Sequence, residues 1–192
     1  MTLKFSFLKK SKMTKQQEKL WQTLTFFTRL LVLSIPLYLI ISLGINLYPV
    51  QHSVATNSYW ILKFTGFHVV QDGASLTVGN ENDLKQPFSF TISEDSTAWK
   101  SMLFFFALVI AVPATPNRKR LLGLLAGLPL VWLGNLARVW GIVMIESNYG
   151  IQAALIAHDY LWRVGLIALV LALWVFWLRF SKDNHTSLPK RN

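Results

Sequence analysis

The chain has 192 residues, of which 53% are hydrophobic and only 15% charged, with a mean hydropathy of +0.39 and eight tryptophans. An ordinary soluble domain carries about 25% charged residues, so one compact membrane unit fits this length better than two large soluble domains. Net charge is +10, and the absence of cysteine excludes a disulfide scaffold, a thiolate metal site and a thiol nucleophile in this chain.

Hydrophobic runs predict four transmembrane helices, since a bilayer core of about 30 Å takes roughly 20 apolar residues. In chain order they are residues 30–48, 98–114, 121–145 and 161–178. The first is an uncharged run, longer than a signal-peptide core and without a clear cleavage site, and reads as an anchor. Between the first two lies segment 49–97. It opens with an expected interfacial helix carrying Tyr59, Trp60, Phe64 and Phe67. Short β-prone runs follow around Val69-Val70, Ser75–Val78 and Phe88–Ile92, split by turn residues at Asp72-Gly73 and from Gly79 to Pro87. The fold expected is therefore an all-α membrane protein, a single domain of four spans with a small extracytoplasmic helix and a β-hairpin or three-stranded cap.

Charge sets the expected orientation. Residues 1–29, the 116–120 loop and the tail 179–192 hold fourteen basic and two acidic residues, and the rest of the chain holds five and seven. The positive-inside rule then places both termini and the 116–120 loop in the cytoplasm, and segment 49–97 and the 146–160 loop outside. The basic residues lie at separate membrane flanks, which suits anionic lipid headgroups and argues against a nucleic-acid groove.

Polar residues within apolar segments are the candidate functional groups. Arg138 lies within the third span, with Asn135 three residues earlier on the same face. Gly134 and Gly141 flank it at helical spacing, permitting close approach of another helix. His158 and Asp159 precede the fourth span, and Asp159 is four residues from Arg163, a helical pairing distance. Ser96 and Thr97 immediately precede the second span, where free backbone N–H groups can stabilise an oxyanion. Each has a structural alternative: Arg138 paired with Glu146 or Asp159, Ser96 as a helix cap, and His158 as a polar anchor. A serine, a cation and a histidine at similar depth are nonetheless the parts of an acyl-transfer site. No metal spacing and no cofactor motif is present.

The order Ser96-Thr97-Ala98-Trp99-Lys100-Ser101 opening a span, then Pro113 and a basic loop, Asn135-Leu136-Ala137-Arg138, and finally His158-Asp159-Tyr160-Leu161-Trp162-Arg163 resembles the exosortase/archaeosortase family of membrane cysteine transpeptidases. The resemblance runs from about residue 60 to residue 180. It implies a catalytic Cys, Arg and His. Arg138 and His158 match the last two, and Ser96 stands at the cysteine position. Asn135, Thr97, Asp159 and Arg163 would support or bind substrate. The implied function is cleavage, at the outer face of a cell membrane, of a C-terminal sorting signal made of a motif, a transmembrane helix and a basic tail. Substrate proteins carrying that signal, and membrane lipid, are the implied partners. Ser96 then reads as a Cys-to-Ser substitution giving an inactive form, with a natural serine variant as the other reading. The competing function is a non-catalytic binding or assembly protein of the same fold.

Overall fold

A computed structural model describes residues 14–80, 83–160 and 164–183. Helix α1 (Lys15–Ser42) opens on a capping box: the Thr14 hydroxyl accepts from the Gln17 amide, and the Gln17 side chain accepts from the Thr14 amide. Leu43 and Gly44 end it, and α2 (Tyr48–Phe64) begins with Pro49 in its first turn. Next comes an antiparallel meander of β1 (Phe67–Asp72), β2 (Ser75–Asn80) and β3 (Asp83–Thr91), in the order β1-β2-β3. A 3₁₀ turn (Glu94–Thr97) leads into α3 (Trp99–Ala111), α4 (Asn117–Tyr160) and α5 (Leu166–Asp183).

The sheet has two unlike faces because side chains alternate along a strand. Val69, Leu76, Val78, Phe88, Phe90 and Ile92 face a core completed by Val54, Ala55 and Leu62 of α2 and by Leu136, Val139 and Val143 of α4. On the opposite face, hydroxyl pairs Ser75–Thr91 and Thr77–Ser89 bridge β2 and β3, each at 2.8 Å. The meander is thus fastened to α2 and α4 by one apolar side.

A second core joins α3, α4 and α5 through Phe105, Leu108, Val109, Val131, Leu166, Val170 and Trp177. Glycines on α4 make this approach possible. A Cβ on Gly127 would overlap the Phe105 ring, and one on Gly123 would overlap the Trp177 indole. Trp177 Nε1 donates to the Lys119 carbonyl at 3.0 Å, and Lys119 Nζ donates to the Ser181 carbonyl, clasping the ends of α4 and α5. Of the glycines flanking Arg138, Gly134 lies against Leu169 of α5, whereas Gly141 faces open space. Helix α1 packs along α3, none of its residues is buried, and it exposes Leu24, Phe27, Leu31 and Tyr38. A long apolar helix with no buried residue suits a hydrocarbon surround better than water.

The expectation of an all-α protein with four spans is corrected. Among the described residues two helices are long and apolar enough to cross a membrane, Lys15–Ser42 and Asn117–Asp159, and a three-stranded sheet accompanies them. Helix α3 has thirteen residues, about 20 Å at 1.5 Å per residue, which is short of the bilayer core. It stops because Val112 leaves the helix at ψ 117 ahead of Pro113, as a residue before proline is driven to do. The apolar stretch of α5 is also a shorter helix, Leu166–Ser181. The boundaries differ too: α1 starts at Lys15 and ends at Ser42, and residues 146–160, expected as a loop, are helical on either side of Gly150.

Candidate active site

Helix α4 is two helices joined at a break. Gly150 sits at φ 79, ψ 173, outside the helical region, in a conformation essentially restricted to glycine. The chain redirects there, so that two helical stripes from the same element face each other. Arg138, Val139, Ile142, Val143 and Glu146 form the first, and Ile151, Ala154, Leu155 and His158 the second. Both follow the i, i+3, i+4, i+7 spacing of one helix face. Strand β3, from Phe88 to Thr91, with Ile92 and Ser96 beyond it, forms the third wall. The cavity is partly open, has a volume of ≈ 190 Å³ and is lined mostly by apolar residues, with Arg138, Glu146, His158, Ser96, Ser89 and Thr91 as its polar exceptions.

Ser96 is not at the start of α3. It belongs to the 3₁₀ turn, and the N-cap of α3 is Ala98, held in the left-handed region at φ 61. A non-glycine residue there is strained by about 1–3 kcal/mol and persists only when its surroundings impose it. Here Ala98 is buried, and the neighbouring turn is gripped from α4. Asn135 Nδ2 donates to the Ser96 carbonyl at 2.9 Å and Arg138 Nη2 donates to the same oxygen at 3.2 Å. The three-residue spacing that puts Asn135 and Arg138 on one face aims both at one acceptor. Thr97 is fully buried, and its hydroxyl donates to the Glu94 carbonyl at 2.8 Å, which places it inside the turn.

The Ser96 hydroxyl is paired with the Ser93 hydroxyl at 2.9 Å. It is neither a cap of α3 nor coupled to His158 among the described residues. His158 Nδ1 lies 3.7 Å from Asp159 Oδ1, too far for a hydrogen bond but close enough for ionic attraction if the ring is protonated. Arg163, expected to pair with Asp159, lies outside the described residues. Arg138 forms no ion pair with Glu146 or Asp159 among the described residues; its side chain is 7% exposed, and Nε and Nη1 lack a hydrogen-bond partner there. Buried donors left without a partner are costly, and such groups in a folded protein call for an explanation. Among the described residues no group of three His, Asp or Glu is placed to hold a metal ion.

Sequence reasoning singled out Ser96, Arg138 and His158 separately, and all three line this cavity. It missed β3 as a wall and Glu146 as a lining residue. The alternation of Phe88, Phe90 and Ile92 was a signal for the strand, but nothing local showed which helix it would face.

Comparison with known proteins agrees with the apolar, polar-dotted pattern. Residues 15–178 match the family described as transmembrane exosortase (Exosortase_EpsH). No curated protein and no solved structure matches the chain. With no cysteine present, the description of a thiol protease does not apply to this chain as it stands. The match spans most of the chain, so it belongs to the transmembrane exosortase family, a group of transpeptidase and protease type serving sorting-signal processing at membranes.

Proposed function

We propose that the cavity between β3 and the two arms of α4 is an acyl-transfer site for a C-terminal sorting signal, with position 96 as nucleophile, Arg138 as carbonyl-orienting cation and His158 as proton carrier. The observation that carries this reading is the convergence of Ser96, Arg138 and His158, from three separate stretches of chain, on one cavity. Attack by the position-96 side chain on the scissile carbonyl would form an acyl-enzyme, with the carbonyl oxygen held by the unused donors of Arg138. His158 would take the nucleophile's proton and pass it to the departing amine as the C–N bond breaks. An incoming amine or water would then release the acyl group. Asp159 would orient His158, and Asn135 would hold the turn that carries position 96. Charge distribution supports cytoplasmic termini and a cavity toward the outer face.

A serine hydroxyl needs a tightly coupled base to act as nucleophile, and the Ser96 hydroxyl is bonded to Ser93 instead. The chain as it stands is therefore read as a slow or inert form. The test uses a membrane reporter ending in a random motif library, an apolar helix and a basic tail, co-expressed with the chain or with its Ser96→Cys variant. Cleavage by the Cys form at least about a hundredfold above the Ser form, through a trappable thioester, is the expected result. Equal cleavage by both forms overturns the inactive-form reading. Binding without cleavage by either supports the second reading, a non-catalytic binding protein, which the Ser93–Ser96 bond also favours.

A further inference from the structure

The sheet has an open edge, and that edge borders the cavity. β3 is the terminal strand of the β1-β2-β3 sheet and pairs with β2 alone among the described residues. The direction of its backbone groups follows from the register. The Ile92 amide donates to the Ala74 carbonyl at 2.9 Å. Hydrogen-bonded and open positions alternate along an antiparallel pair. Phe88, Phe90 and Ile92 therefore spend their backbone groups on β2, while the N–H and C=O of Ser89 and Thr91 point away from it.

Two further features agree. Ser89 and Thr91 line the cavity, yet their side chains are tied to Thr77 and Ser75 on the far face of the sheet. They reach the cavity through the strand's edge. Pro87 precedes Phe88, where the regular register with β2 ends at a shift between Val78 and Asn80, and it has no N–H to offer. It closes the usable edge on one side, and Ser96 stands a few residues beyond the other. An exposed strand edge of this kind is a template for another strand, which natural proteins cover or block.

We infer that an extended segment of the substrate docks on β3 as a fourth strand, bonded to the main-chain groups of Ser89 and Thr91, and that this rail delivers a peptide carbonyl to Arg138. The occupant is an extended peptide on two grounds. The rail offers alternating main-chain donors and acceptors, which recognise peptide backbone irrespective of sequence. Beside it, two buried donors of Arg138 have no partner among the described residues, and a carbonyl oxygen would satisfy them without bringing a charge into the cavity. The apolar wall of Ile142, Val143, Ile151 and Leu155 then receives alternate side chains of the same segment. Selection would fall on those alternate side chains, with the backbone supplying affinity. This inference rests on the reading of the cavity as a peptide-processing site.

The experiment uses the full chain in lipid nanodiscs and a synthetic library: a run of about eight random residues, the length of a strand, followed by a leucine-rich helix and a Lys-Arg tail. The tightest-binding member is resynthesised with single N-methyl groups at each random position. Methylation at alternate positions is expected to weaken binding about tenfold, and at intervening positions less than about twofold. Ser89→Pro and Thr91→Pro, which delete an outward N–H, are expected to weaken the parent peptide about fivefold or more relative to Ser89→Ala and Thr91→Ala, which lose the same hydroxyl pairs but keep the N–H. A uniform response to N-methylation, or a library without a binding member, overturns the rail. Scoring cleavage of the same peptides by the chain and by Ser96→Cys separates the two claims. Cleavage without alternation refutes the rail and leaves the processing site standing, whereas alternation without cleavage by either form keeps the rail and refutes the processing site.

Discussion

Asn135 and Arg138 share one acceptor, and that sharing has a measurable signature. The Ser96 carbonyl receives Asn135 Nδ2 and Arg138 Nη2, one for each lone pair. Asn135→Ala removes one donor while the other stays, a loss of about 1 kcal/mol. Arg138→Met keeps the aliphatic stem and removes a buried guanidinium whose Nε and Nη1 lack a partner among the described residues. Relief of that buried charge offsets the lost bond, so the single change should cost about 0–1 kcal/mol. The double variant leaves this part-buried carbonyl with neither side chain, and the penalty for such an unsatisfied acceptor is about 1–3 kcal/mol. That penalty appears only when both donors are gone, so the two changes should be non-additive, with a coupling of about 1–3 kcal/mol in the destabilising direction. For a chain of this size, 1 kcal/mol moves the unfolding midpoint by about 2–4 °C. The double variant should then melt about 2–12 °C below the sum of the single shifts. Thermal unfolding of the four proteins in one detergent, followed by near-UV circular dichroism, reads this directly. Additivity within about 0.5 kcal/mol would refute the shared clamp, and with it the view that α4 holds the turn carrying Ser96.

Other positions separate packing from freedom. Gly127→Ala drives a methyl into the buried Phe105 ring and should destabilise by about 1–3 kcal/mol, with partial rescue by Phe105→Leu. Gly141→Ala, facing open space inside the same helix, should instead stabilise by about 0.5–1 kcal/mol; melting curves of the two variants should shift in opposite directions. Gly150→Ala opposes the break that turns His158 toward the cavity, costing about 1–3 kcal/mol. In the Ser96→Cys background it should also cut reporter cleavage by about a hundredfold, because a displaced catalytic group loses that much; unchanged cleavage would show that the break does not position His158. Trp177→Phe removes the bond to the Lys119 carbonyl and should cost about 1 kcal/mol, and a midpoint equal to that of the unaltered chain would show the α4–α5 clasp to be idle.

The amino-acid order alone determined several features of this protein. Its apolar content marks α1 and α4 as helices able to cross a bilayer, and the alternation around Val78 and Phe90 marks strands. The three-residue step from Asn135 to Arg138 puts both on one face. The order of Ser96, Asn135, Arg138 and His158 carries the family resemblance. These are local properties, set by the period of a helix or strand and by the cost of a charge among apolar neighbours. Tertiary structure decided the rest. The apolar run before Pro113 stops at thirteen residues, so hydropathy overstated the number of spans. Gly150 breaks a helix while Gly127 and Gly134 sit within it, a difference invisible in a sequence where all three are the same residue. Local reading put Ser96 at a helix start, but Ala98 takes that place because the preceding turn is held by two side chains from forty residues away. The cavity itself exists only because the Gly150 break and the attachment of the meander to α2 and α4 bring β3 opposite both arms of α4. Such closure depends on contacts between distant segments, and no local period of the chain encodes them.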